Sequence, residues 1–148
     1  MSPIRIQHFS DLLCVWAYVS QARIDELRAT FGEQIDVDGR YVSVFGNTHA
    51  KLKKNWGERG GNQAYGAHVR EIVARFGHVE VHPEVWCRDI PHSSLPAHLL
   101  LCAIRCLETA GVVSAGSSSD VAWRLRLAFF RDLADISNGA VLRRVTDE

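Results

Sequence analysis

At 148 residues, 47% hydrophobic and 23% charged, the chain has the length and composition of one ordinary globular domain, or of a small core with an insertion. Lys and Arg (17) balance Asp and Glu (17), so no long-range field draws in a nucleic acid. No apolar stretch approaches the roughly 20 residues that span a bilayer, and the four cysteines form no CxxC pair, which argues against a zinc knuckle or a disulfide framework.

Residues 4–9 alternate and read as a short, buried strand. A helical period follows from about Val15, through Trp16, Val19, Ile24, Leu27 and Phe31, and Gly32 stops it. Residues 35–45 are rich in β-branched and aromatic side chains and read as a second strand, with a bulge at Gly39. A helical crossover of this length implies a parallel pair. Residues 46–66 are polar and Gly-rich, with Lys51, Lys53, Lys54 and Arg59 forming a basic patch beside Trp56 that reads as a solvated helix face. Residues 66–77 place Val69, Ile72, Val73 and Phe76 on one helical face, and 78–86 read as extended. Residues 93–111 make a strong helix, capped by Ser93 or Ser94, with Pro96 in the first turn and Gly111 as the stop. A loop ends at a cap on Ser119 or Asp120, a helix runs on to 137, and the tail 138–148 starts one more.

The expected fold class is α/β. Residues 1–45 form a β-α-β start and 46–148 a mostly helical segment. A lone two-stranded parallel sheet leaves exposed edges, which favours pairing of two copies as a homodimer. The N-terminus shows no signal-peptide pattern, so the expected location is the cytoplasm, where thiols stay reduced.

Cys14 carries the most informative chemistry. It follows a strand and opens a helix, where unpaired backbone N–H groups and the helix dipole favour thiolate over thiol. Spacing alone leaves a buried core thiol as the competing reading. His8 lies a few residues upstream, where an imidazolium would add positive charge, though a structural role competes. Asp11 is placed to cap the helix. Trp16 is expected on the core, and Tyr18 on the core or a substrate groove. Cys102 and Cys106, one helical turn apart, are expected in the core. His78, His82 and Cys87 fit no common zinc spacing, so no metal is expected.

The segment Asp11-x-x-Cys14-x-Trp16-x-Tyr18 resembles the active-site segment of the DsbA-like thiol oxidoreductases, whose cytoplasmic members read D-x-x-C-P-W-C-Y there. Ser93-Ser94-x-Pro96-Ala97-His98 is similar to the family's opening of a helix in its inserted domain. Phe129-Phe130 through Asp135-Ile136-Ser137 resembles its aromatic pair and following Asp-Ile step. The resemblance implies a thioredoxin fold with a helical insertion. It also implies Cys14 as the nucleophile and a substrate site lined by Trp16, Tyr18, Asp11 and His8.

Two departures qualify it. Ala17 stands where the family has its second cysteine and Val15 where it has proline, so Cys14 is a monothiol. The resolving thiol would come from glutathione, another protein or a remote cysteine. The family's chain also continues into a cis-proline loop, a hairpin and a final helix. None of Pro3, Pro83, Pro91 and Pro96 sits in such a context, so the C-terminal half of the thioredoxin fold is expected to be absent. Kappa-class glutathione transferases and 2-hydroxychromene-2-carboxylate isomerases share the implied fold and use glutathione, with a serine near the position of Cys14. The expected substrate is a disulfide, a thiol or a glutathione conjugate, with glutathione as the co-substrate and no tightly bound cofactor. A glutathione-dependent isomerase or transferase, and a scaffold that has lost its chemistry, are the alternatives.

Overall fold

A computed structural model describes residues 2–147. Strand β1 (Ile4–Ser10) leads into helix α1 (Val15–Val19), helix α2 (Gln21–Phe31) and strand β2 (Ile35–Tyr41). Helices α3 (Thr48–Trp56), α4 (Gly61–Val73), α5 (Leu95–Thr109), α6 (Ser117–Phe130) and α7 (Gly139–Asp147) follow. The two strands are parallel and in unbroken register from Ile4↔Ile35 to Ser10↔Tyr41. His8 faces Gly39 directly, so the expected bulge is absent.

Three other expectations change. The helix after Cys14 is two helices broken at Ser20, whose hydroxyl reaches back to the Ala17 carbonyl at 3.4 Å. A serine bonding to its preceding turn competes with continued helix. The second strand stops at Tyr41 because the chain is pulled inward afterwards. Phe45 N–H donates to Asp11 Oδ2 at 2.8 Å, and Phe45 O accepts from Ser94 N–H at 3.0 Å. The segment 78–86 forms no strand: residues 79–82 are irregular and 83–86 turn, and Trp86 adopts φ 64° with its side chain fully buried.

The expected buried strand is also largely uncovered. Ile4 and Phe9 on β1 are exposed, and α2 contributes no fully buried residue. The core lies instead where the loop after β1 meets the helical segment. Leu12, Leu13 and Tyr18 pack there with Val69, Trp86, Leu101, Leu125, Phe129 and Phe130, among others. Full burial of each such side chain contributes about 1.5–3 kcal/mol. Helix α5 is clamped to β2 by Arg105, which donates to Gly39 O at 2.7 Å and pairs with Asp38 Oδ1 at 2.7 Å.

Glycine matters at two places. Gly60 (φ 98°) and Gly61 (φ 61°) make the left-handed turn into α4. Gly66 lets α4 press onto the Val85–Cys87 turn, since a Cβ there would lie 2.5 Å from Val85 O and 2.9 Å from Cys87 Sγ. Asn47 caps α3 through Ala50 N–H at 3.0 Å. Glycine, rather than Ser119 or Asp120, precedes α6: Gly116 (φ 93°) turns the chain into it. Among the described residues no helix is long and apolar enough to cross a membrane.

Candidate active site

Cys14 is the N-cap residue of α1 and is partly exposed. A tight turn sets its position: its N–H donates to Asp11 O, and its carbonyl accepts from Tyr18 N–H, both at 3.1 Å. No side chain caps α1, so the first backbone N–H groups of the helix are left without an intrahelical acceptor beside the sulfur. The break at Ser20 leaves five residues in α1, which shortens the expected dipole.

The thiol opens on a groove of about 500 Å³. Its walls are apolar side chains left exposed at the sheet end and on α1: Phe9 (58% exposed), Trp16 (52%), Val42 and Val44. His8 and Arg23 add polar lining. Trp16, expected on the core, therefore faces the groove, and Tyr18 takes the interior. Tyr18 is fully buried, stacks on Phe130 (ring centroids 4.6 Å apart) and donates its hydroxyl to Glu80 O at 2.7 Å. Helical spacing explains the placement, because Val15 and Tyr18, three residues apart, share the inward side of α1 while Trp16 points away.

Asp11 is at the groove's floor, but its carboxylate belongs to the interior. Oδ1 accepts from Leu13 N–H at 2.8 Å; Oδ2 accepts from Phe45 N–H and from the Ser94 hydroxyl, each at 2.8 Å. Burial pushes this carboxyl upward, but contact with His98 and the donated hydrogen bonds outweigh it and hold the group below its ordinary value. His98 Nε2 lies 3.6 Å from Asp11 Oδ1 and accepts from Leu12 N–H at 3.2 Å. One nitrogen cannot donate and accept through the same position. The bond from Leu12 N–H is the shorter of the two, and the 3.6 Å approach to Asp11 is a longer polar contact. Asp11 thus fastens the Cys14 turn to the start of α5 rather than capping α1.

His8 lines the groove, but burial and then the charges of Arg126 and Arg28 push it below its ordinary value. That shift works against the imidazolium that would add positive charge beside Cys14 and fits the competing structural reading of His8. Two contributors escaped the sequence reading. Tyr65 on α4 packs against Trp86 and Phe45, and burial, followed by the charges of Cys14 and Asp11, pushes its hydroxyl well up. It therefore keeps its proton at neutral pH. Arg126 on α6 is buried and donates to Ser10 Oγ at 3.0 Å at the groove's edge. Its helical spacing with Ala122 and Phe129 was the available signal.

The other cysteines are free. Cys102 and Cys106 are exposed on α5, not in the core, and border a surface depression with Arg40 and Arg105, away from the residues that line the Cys14 groove. Among the described residues no group of His, Cys, Asp and Glu is arranged to hold a metal ion.

The motifs of the family resemblance converge on this place. Ser94 and His98 bond to the Cys14 turn. Phe129 and Phe130 lie under Trp86 and Tyr18. Ser137 accepts from His92 N–H at 3.2 Å, steadying the chain just before Ser93.

No family model and no curated protein matches the chain. Solved structures do. A probable DsbA oxidoreductase from Streptomyces coelicolor superposes with a TM-score of 0.66 at 19% identity, covering 96% of this chain and 61% of its own. A candidate protein disulfide isomerase from Nitrosomonas europaea gives a TM-score of 0.65 at 11% identity, covering 98% of this chain and 64% of its own. The chain thus spans less than two thirds of either structure's length. Across that span it has the fold of the DsbA-like oxidoreductases, a thioredoxin-type β-α-β unit followed by a helical segment.

Proposed function

We propose that the chain carries out thiol–disulfide exchange through Cys14 acting as a monothiol, with glutathione as the exchange partner. The observation that carries this reading is a partly exposed thiol at an uncapped helix start, facing a groove walled by Phe9, Trp16, Val42 and Val44. The Cys14 thiolate attacks one sulfur of a disulfide R–S–S–R′. A Cys14–S–S–R bond forms and R′S⁻ leaves. With Ala17 at the second motif position, no neighbouring thiol displaces R. A glutathione thiolate then attacks, releases the Cys14 thiolate and takes R as the new mixed disulfide. The apolar walls suit a substrate with aliphatic or aromatic groups beside its sulfur, and Trp16 is the side chain best placed to touch it.

The test pairs two assays on the wild-type protein. Reduction of a glutathione-mixed disulfide should proceed and be abolished by Cys14→Ser, while insulin reduction stays at background. Silence in both assays would support the second reading, a binding scaffold. The exposed apolar groove, the open sheet edges and Ala17 favour that alternative. The same edges support association of two copies.

A further inference from the structure

A second, smaller cavity of about 30 Å³ lies next to the Cys14 groove, and His8 and Ser10 line both. It sits between the strands, α2 and α6, and its walls include Arg28, Tyr41, Ser119 and Arg126. The side chain of Arg126 is the unusual element. It is 3% exposed, yet among the described residues no carboxylate lies within ion-pair distance of it. Its contacts are neutral: Nη1 donates to Gln21 Oε1 at 3.2 Å and Nη2 to Ser10 Oγ at 3.0 Å. Nε has no hydrogen-bond partner.

An unpaired charge in the interior is among the most expensive arrangements a fold carries, and it is retained only where something compensates it. The surroundings make it worse. Arg28 also lines the cavity, and its contacts are a 3.9 Å approach to Asp25 and a 3.4 Å bond to Val37 O. Two arginines and a histidine share the wall, and no Asp or Glu does. Burial pushes Arg126 itself below its ordinary value, and Arg126 and Arg28 in turn help push His8 down. A water would satisfy the Nε hydrogen bond but leave the charge. An anion answers both. About 10–15 Å³ of such space holds one water, so the cavity takes a single small ion and excludes a bulky dianion.

We propose that this cavity binds one small monoanion, a halide or a formate-sized carboxylate, held by the Arg126 guanidinium with Arg28 and the hydroxyls of Ser10 and Tyr41 around it. The proposal does not rest on the reaction assigned to Cys14, although the two cavities share His8 and Ser10. Its ligand neutralises a buried cation and stabilises the packing of α6 on the strands.

Two measurements test it. Crystals of the wild-type protein soaked in sodium bromide should show an anomalous peak in contact with Arg126. In solution, the protein should broaden the chloride NMR line. Formate should reverse the broadening and equimolar sulfate should not, and Arg126→Met should abolish it while leaving the fold intact. An ordered water alone in the cavity, or broadening that survives in Arg126→Met, would overturn the proposal. If that variant fails to fold, the bromide map decides by itself: a peak on Arg126 supports the site and its absence refutes it.

Discussion

Asp11 shows how one carboxylate organises the site without entering the chemistry. Its two oxygens collect Leu13 N–H, Phe45 N–H and the Ser94 hydroxyl, tying the turn before Cys14 to the end of the sheet and to α5. Replacing Asp11 with Asn turns one acceptor into a donor facing a donor, a loss of about 1–3 kcal/mol that a urea melt will read. The pH dependence follows from the depressed carboxyl. Its stabilisation is fully present above the unfolded value of about 4 and is lost as pH falls through the lower folded value. Wild-type stability should therefore drop in that acidic window, and Asp11→Asn should flatten the drop; an unchanged slope would contradict the assignment. Tyr18→Phe, which strips the bond to Glu80 O, should cost about 1 kcal/mol in the same melts while leaving Cys14 reactivity intact. At this scale the sequence made Asp11 and Tyr18 visible as motif members but not their roles. The decisive partners, Phe45, Ser94 and Glu80, are distant in the chain, and local pattern carries no information about them.

Among the elements, α4 depends on a close approach that no larger residue permits. A methyl at Gly66 would meet the Val85 carbonyl at 2.5 Å, and backbone cannot swing aside as a side chain does. Gly66→Ala should destabilise the protein by about 1–3 kcal/mol. For a chain near this length that lowers Tm by about 2–4 °C per kcal/mol, measurable by calorimetry. The helices with a clear apolar stripe were readable, α5 between Pro96 and Gly111, α6 and α7 in the tail, although α6 ends at Phe130 and not at 137, with Leu133 at φ 56° beyond it. Hidden were the break at Ser20, the end of β2 at Tyr41 and the turns around Trp86. Each is set by a hydrogen bond or a buried contact made across the fold. Periodicity also placed Cys102 and Cys106 inward, but α5 meets neighbours on one side only and both thiols face solvent.

For the whole molecule, the β-α-β start and the helical segment form one core centred on the loop that carries Cys14, while among the described residues no third strand pairs with the two-stranded sheet. This distribution explains why the groove is apolar and exposed at once. Phe9 near the end of β1 and Val42 and Val44 just after β2 are left exposed by every element among the described residues, and Trp16 borders them from α1. The parallel pair and the helical remainder were legible from hydrophobic period and order. The weak burial of β1 was not, because alternation reports a face's character and not whether anything covers it. The central claim is that Cys14 is a groove-facing nucleophile without a partner cysteine. Its most direct test is mass spectrometry of the protein after exposure to glutathione disulfide. The account predicts a single glutathione adduct on Cys14, formed faster than on Cys102 or Cys106, removed by added glutathione and absent in Cys14→Ser. Preferential labelling of Cys102 or Cys106, with Cys14 unmodified, would contradict it.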